Sequence, residues 1–211
     1  MDELIYEKEL FEKGFPLVAG VDEVGRGPLA GSVVAAAVIL PLEEEKRILG
    51  IDDSKKLSKK KREYLAEKIK EVAVAYAIEE VGEGTIDEIN ILQATRLAMK
   101  RAIERLSPRP DFVLTDGNMT LDISVPQKSI VKGDAKVASI GAASVLAKVY
   151  RDKLMEEFAK TYPWYGFEHN AGYGTKAHVE AIREMGICEI HRKTFVKKFW
   201  DGTRKSRPQN T

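Results

Sequence analysis

The sequence predicts an α/β fold in which a mixed sheet carries helices on its faces. Three observations support this: five short apolar runs rich in β-branched residues, two long stretches with apolar residues at helical spacing, and three of the runs standing ahead of the first long helical stretch. That order favours a mixed sheet over strict strand–helix alternation.

Residues 17–24, LVAGVDEV, run apolar into a carboxylate pair before Gly25 breaks them, which predicts a buried strand ending at a turn. A tight turn leads to a second buried strand over 32–40, SVVAAAVIL, too short and too β-branched for a helix and closed by Pro41. Residues 42–57 read as a polar loop. Ser58 then caps a helix running to about residue 70, with Leu65 and Ile69 on one face. The third strand is 72–81. Thr85 opens a long helix over 85–106, where Ile89, Leu92, Leu97 and Ile103 form a stripe that ends before Pro108 and Pro110. DFVLTDG, 111–117, repeats the pattern of an apolar run, an acid and a glycine, so a fourth strand ends on Asp116. The fifth strand, 123–131, belongs at an edge because Pro126 has no N–H for a ladder. A second long helix covers 135–160, and its small residues Ala138, Gly141, Ala142, Ala143 and Ala147 let it press against the sheet. Residues 161–175 are too rich in Gly, Pro and aromatics for regular structure, short helices are expected near 176–185 and 189–200, and the tail 201–211 reads as disordered.

Composition narrows the function. The 211 residues are 44% hydrophobic and 32% charged, enough apolar content for a core, with 34 basic residues against 33 acidic ones. A uniformly basic histone-like binder is excluded, but the charges are segregated: residues 1–13 hold five acids and two bases, and 192–207 hold seven bases and one acid. One cysteine, Cys188, excludes an internal disulfide and a Cys-rich zinc site. No apolar run approaches the ~20 residues of a membrane span, and the acidic N-terminus has no apolar signal core, so a cytoplasmic protein with no membrane partner is expected.

Asp22, Glu23, Asp116 and Asp134 come from three segments, each at a strand end or a helix start. Open α/β sheets place their sites outside strand ends, where such acids can converge. Carboxylates packed together repel unless cations bind them, and an all-oxygen set favours Mg²⁺ or Mn²⁺. Each acid also has a plain structural use: Asp134 as a helix N-cap, Asp116-Gly117 as a turn. Asp22 and Glu23 resist that account, since an unpaired carboxylate at the end of a buried strand costs several kcal/mol on order-of-magnitude grounds. Neighbouring strand residues point to opposite faces, so Glu23 shares a metal with Asp22 only if the strand has bent there.

Gly25-Arg26-Gly27-Pro28-Leu29-Ala30 satisfies the dinucleotide pattern G-x-G-x-x-A, which would make this a nicotinamide or flavin oxidoreductase. That fingerprint must open a helix, whereas Pro28 leads into a strand, and two upstream carboxylates repel a pyrophosphate. The glycines can instead bring backbone N–H groups close to a sugar or phosphate, or simply make a turn. There are two basic runs, Lys55 to Arg62 and Arg192 to Arg207, with Tyr162, Trp164, Tyr165, Phe167 and Tyr173 between them in sequence. A charge run is commonly a solvated face and the aromatics could be core. Beside an acidic metal site the combination suits a nucleic-acid backbone and stacked bases, for an enzyme or for a binding module without chemistry. His169, His178 and His191 show no zinc spacing, and Cys188 lacks a nucleophile's context.

VDEVGRGPLAG with VVAAAVIL, then DSKKLS, TDGN, KGDAKVASIGAASVLAKVYRD, YPWYGF, GYGT and IHRKTF follow the order and spacing of ribonuclease HII, and the chain resembles that type 2 ribonuclease H family over about residues 16–196. The resemblance implies a ribonuclease H-like mixed five-stranded sheet with flanking helices and a small C-terminal helical extension. On that pattern 1–160 form the catalytic core, 161–200 the aromatic loop and helical extension, and 201–211 the tail. It maps the family's four catalytic, metal-binding carboxylates onto Asp22, Glu23, Asp116 and Asp134. The glycine-arginine-glycine motif falls on Gly25, Arg26 and Gly27, the junction-sensing tyrosine on Tyr173, and backbone-contacting lysines on Lys55 and Lys56. It further implies a two-metal Mg²⁺ or Mn²⁺ endonuclease that acts as a monomer. Its substrates would be RNA/DNA hybrids and DNA duplexes containing ribonucleotides, cut 5′ to the ribonucleotide to leave 5′-phosphate and 3′-hydroxyl ends. Three departures stand out: Ser32 where the family carries proline, Asn170-Ala171 ahead of GYGT, and Ile187-Cys188 ahead of IHR.

Overall fold

A computed structural model describes residues 4–43, 50–51, 57–200 and 202. Lys55, Lys56 and the tail beyond Gly202, to which expectations attach, lie outside the described residues. The sheet has five strands in the order β3-β2-β1-β4-β5: β1 (Val18–Val24), β2 (Val33–Ile39), β3 (Ala75–Val81), β4 (Phe112–Asp116) and β5 (Gln127–Ile130). β1 pairs antiparallel with β2 and β2 with β3, while β4 and β5 run parallel to β1. The mixed sheet follows, with β5 at an edge but shorter than the strand read over 123–131: it starts at Gln127, and Pro126 stands just ahead of it, offering its carbonyl to the Val113 N–H.

β2 shows why both faces are covered. Val33, Ala35, Ala37 and Ile39 pack with α3 (Glu83–Glu104) through Ala94, Ala98 and Met99, whereas Val34, Ala36 and Val38 face α2 (Lys59–Val72) and α4 (Ala138–Thr161). The alternation is the period of two that a strand buried on both sides must have. Gly20 of β1 is required on the α4 side: a Cβ there would lie 2.2 Å from the Ile140 nitrogen, so the start of α4 rests directly on the central strand. Asp22, two residues on, shares that face.

Several expectations are corrected. The strand read at 72–81 starts at Ala75, because Val72 ends α2. The helix read at 85–106 breaks at Asn90 (φ 65°), whose Oδ1 accepts from the Leu92 and Gln93 N–H groups and re-caps the second half. That break takes Leu92 out of the apolar stripe and leaves it exposed. The helix read from 135 begins at Ala138, after a 3₁₀ turn at Gly133–Ala135. The C-terminal helix expected over 189–200 shrinks to α7 (Lys193–Val196). α5 (Phe167–Asn170) forms inside the stretch read as irregular, and α6 (Lys176–Met185) matches its expected span, capped by Thr175.

Ahead of β1 the acidic N-terminal segment forms a further helix, α1 (Ile5–Glu12). It carries the buried Glu7, whose Oε1 accepts from the Ser139 N–H at 2.9 Å and the Ser139 hydroxyl at 2.6 Å. Glu7 thus caps the N-terminus of α4 from a distant segment, where the helix dipole favours a negative charge. Among the described residues no helix is long and apolar enough to cross a membrane.

Candidate active site

Asp22, Glu23, Asp116 and Tyr173 line one cleft of about 350 Å³ together with Val24, Arg62, Ser144 and Lys148. β1 delivers the first two acids and β4 the third; these strands are parallel neighbours, so their C-terminal ends lie side by side. Asp134 is not in that lining. It sits buried in the 3₁₀ turn between β5 and α4, beside Gly133, whose N–H donates to Asp116 Oδ1 at 2.6 Å. Asp134 is not the N-cap residue of α4: that position is Val137, and the helix start is held by Glu7 through Ser139.

Asp22 is 5% exposed. Burial, the neighbouring Glu23 charge and the Asp116 charge push its carboxyl up to about 8, against the opposing hydrogen bond from Ser144. Glu23 is also raised, chiefly by burial, with Asp116 adding and Arg26 opposing through an ion pair at 3.4 Å. As the side chains lie, no group of three or more His, Cys, Asp or Glu among the described residues is gathered to hold a metal ion. Asp116 is engaged by Gly133, and Glu23 by Arg26.

The Gly25-Arg26-Gly27 turn runs from β1 back into antiparallel β2, not into a helix, which disposes of the dinucleotide fingerprint. Gly25 has φ +95°, and a Cβ on it would meet the Arg151 Nε at 2.3 Å. A Cβ on Gly27 would stand 3.5 Å from the Tyr173 ring, so the motif and the tyrosine are brought together although 146 positions separate them.

What holds this turn was missed in the sequence. Arg192, read as part of a basic surface run, is fully buried. Its guanidinium donates to the carbonyls of Gly25 (2.6 Å), Gly31 (2.7 Å), Pro28 (2.9 Å) and Arg26 (3.1 Å). Arg151, equally buried, donates to Ala30 (3.1 Å), Ser32 (3.0 Å) and Ala171 (2.9 Å). The planar fork of arginine explains why a carbonyl-lined turn uses it. A short backbone ladder completes the grip: Gly31 N–H to Ile190 carbonyl, and Arg192 N–H to Leu29 carbonyl, both at 2.8 Å. Ser144 and Lys148, one helical turn apart on α4, were also missed as cleft residues; a polar face opposite α4's alanines was the available signal.

The aromatics divide. Tyr165 and Phe167 are buried and stacked with centroids 5.4 Å apart, so they are core, while Tyr173 and Trp164 are about half exposed.

The five-stranded mixed sheet with flanking helices has the ribonuclease H-like fold, and carboxylates from two of its adjacent strands share one cleft. The ribonuclease HII family model matches residues 19–203. A ribonuclease HII from Endomicrobium trichonymphae is 58% identical over 190-odd residues, covering 90% of this chain and 90% of its own length. One from Bacillus subtilis is 57% identical, covering 90% of this chain and 73% of its own. The crystal structure of the ribonuclease H2 from Pyrococcus horikoshii OT3 superposes with a TM-score of 0.74 at 27% identity, covering 88% of this chain and 97% of that one. The chain belongs to the ribonuclease HII family, and is a type 2 ribonuclease H with endonuclease activity.

Proposed function

We propose that Asp22, Glu23, Asp116 and Asp134 hold two divalent cations, Mg²⁺ or Mn²⁺. With them the enzyme cuts the RNA strand of RNA/DNA hybrids and the phosphodiester 5′ to a ribonucleotide embedded in duplex DNA. The observation that carries this reading is the burial of Asp22 against Glu23 and Asp116 in one cleft, with its carboxyl pushed up to about 8. A carboxylate so placed is charged at neutral pH only when a cation offsets its neighbours, and a donor set made of oxygen alone fits a hard ion. When bound, such ions lower the pKa of a water and stabilise a leaving oxygen.

The chain's own residues do the rest. In hydrolysis a water oxygen bonds to phosphorus as the bond to the upstream 3′ oxygen breaks; that oxygen takes a proton and the phosphate stays on the ribonucleotide's 5′ side. Ser144 fixes the Asp22 carboxylate by hydrogen bond. Arg62 and Lys148 line the cleft and meet phosphate charge. The Gly25–Gly27 turn, held from behind by Arg151 and Arg192, lets backbone approach the sugar closely, and the exposed Tyr173 hydroxyl reads the 2′-hydroxyl at an RNA-to-DNA junction. Lys55 and Lys56 are assigned to the backbone beyond the cut by the family pattern alone. Lys193, Lys197 and Lys198, on and just after α7, are exposed as well.

A labelled duplex carrying one ribonucleotide, incubated with wild type and Asp134→Asn in Mg²⁺, Mn²⁺ or EDTA, tests this. Cutting 5′ to the ribonucleotide that needs the metal and is lost in Asp134→Asn is expected. Cutting that persists in EDTA, or undiminished in Asp134→Asn, sinks the proposal.

A further inference from the structure

Behind the Tyr173 loop lies a buried polar chain that the reaction does not use. His178 Nδ1 stands 2.8 Å from the Tyr173 carbonyl oxygen, His178 Nε2 stands 3.1 Å from His191 Nε2, and His191 Nδ1 receives the Cys188 N–H at 3.0 Å. The Cys188 sulfur lies 3.1 Å from the same His191 nitrogen. Both imidazoles are buried, walled by Tyr165 (centroid 4.8 Å from His191) and Phe167 (5.4 Å from His178).

The partners leave one protonation pattern. A carbonyl oxygen only accepts, so His178 Nδ1 carries a hydrogen; an amide N–H only donates, so His191 Nδ1 is bare. A neutral ring has one N–H, which puts the second hydrogen on His191 Nε2, aimed at the bare His178 Nε2. Every bond then points the same way, from Cys188 through His191 and His178 to the Tyr173 carbonyl. A further proton on either ring would set two N–H groups face to face. Burial agrees, since it lowers both imidazoles, His191 to about 3. The Cys188 thiol, pushed up to about 12 by burial, serves as a donor and not as a nucleophile.

The end of this chain is the backbone of the tyrosine that meets substrate. The Tyr173 carbonyl also accepts from the Thr175 N–H at 2.8 Å, its own N–H is held by the Asn170 carbonyl at 2.8 Å, and the Gly172 carbonyl takes the Leu29 N–H at 2.7 Å. The loop is thereby tied both to the glycine turn and to the imidazole pair. We propose that His178 and His191 are positioning residues which, through a one-directional hydrogen-bond relay from Cys188, set where Tyr173 stands over the Gly25–Gly27 turn and so set the enzyme's preference for an RNA-to-DNA junction. This rests on the reading of Tyr173 given under Proposed function.

Two measurements on the full chain test it. Long-range ¹H–¹⁵N correlation of the wild-type imidazoles at pH 7 needs no variant to fold: it should show His178 as the neutral Nδ1–H tautomer and His191 as the neutral Nε2–H tautomer. Any other pair of tautomers overturns the relay. The second is kcat/KM for a duplex with one ribonucleotide relative to that for a uniform hybrid. His178→Phe keeps a ring but has no donor and should lower this ratio about tenfold, whereas His178→Asn, whose amide can donate where Nδ1 did, should restore it to within about threefold. Equal losses on both substrates in both variants would reduce the pair to structural support. A wild type that cuts the hybrid without junction preference defeats the reading of Tyr173, while a preference that survives in His178→Phe defeats the relay alone.

Discussion

Two buried polar clusters flank the 25–32 turn, and they have opposite characters. On the strand-end side, Asp22, Glu23 and Asp116 place like charges in one cleft, and burial and mutual repulsion raise Asp22 to about 8. On the other side, Arg151 and Arg192 bury two guanidiniums whose donors meet main-chain carbonyls, and His178 and His191 pair in a single tautomeric order. The first cluster keeps like charges in conflict even with Glu23 paired to Arg26 and Asp116 held by the Gly133 N–H, and a bound cation would relieve it. The second is answered from within the protein. Buried polarity that stays in conflict marks where chemistry happens, and buried polarity that is satisfied marks what holds the chemistry in place.

The largest test of this contrast is Asp22→Asn. If the acids are there for the reaction, losing one ligand that offsets several kcal/mol of developing charge should cut kcat about a thousandfold. The same change should leave metal-free protein no less stable at pH 8.5. Asp22's folded pKa is raised, so the folded state binds the extra proton between 3.8 and about 8, and its stability falls as pH rises through that window. Asparagine removes that loss. A lower thermal midpoint for Asp22→Asn at pH 8.5 in EDTA would erase the distinction between the clusters.

Arg192→Met should do the reverse. It strands the carbonyls of Gly25, Arg26, Pro28 and Gly31, so a loss of about 3 kcal/mol and a drop of about 6 °C or more in Tm are expected. Arg192→Lys should recover little, having no fork to reach several carbonyls at once. Calorimetry of both variants decides it.

The smallest effect concerns acid. His191's pKa is depressed from 6.5 to about 3 and His178's is lowered too, so the unfolded chain binds more protons in that window and stability falls as pH drops from 6.5 toward 3. Asp22 works in the opposite direction over this range, so the imidazole contribution is read by difference: in urea unfolding the wild type should lose about 1–2 kcal/mol more, or gain that much less, between pH 7 and pH 5 than His191→Phe does. Equal slopes in both proteins would place the acid sensitivity elsewhere.

The strands were readable because β1, β2 and β4 are buried on both faces and therefore spelled as short apolar runs closed by glycine or proline. The acids were readable for a related reason, since Asp22 and Glu23 interrupt an apolar run where an unpaired carboxylate is costly. The break at Asn90 was not: helical periodicity continues across it, and only the left-handed backbone and the re-capping of Leu92 and Gln93 reveal it. α1 is hard to read because half of its eight residues, IYEKELFE, are charged, and its one decisive group, Glu7, acts on Ser139 across 132 positions.

The sequence by itself therefore determined the class of fold, the presence of five strands and the acids at the ends of β1 and β4, because local burial pattern and the cost of a buried charge are both written in neighbouring residues. Tertiary structure decided which polar residues were to be satisfied and by what. Arg192 stands in a basic run yet is fully buried, and His178, His191 and Cys188 carry no recognisable spacing yet form one chain of hydrogen bonds. The physical reason is that a side chain's role depends on the partners it meets in space: the carbonyls that Arg192 holds lie more than 160 positions earlier in the chain.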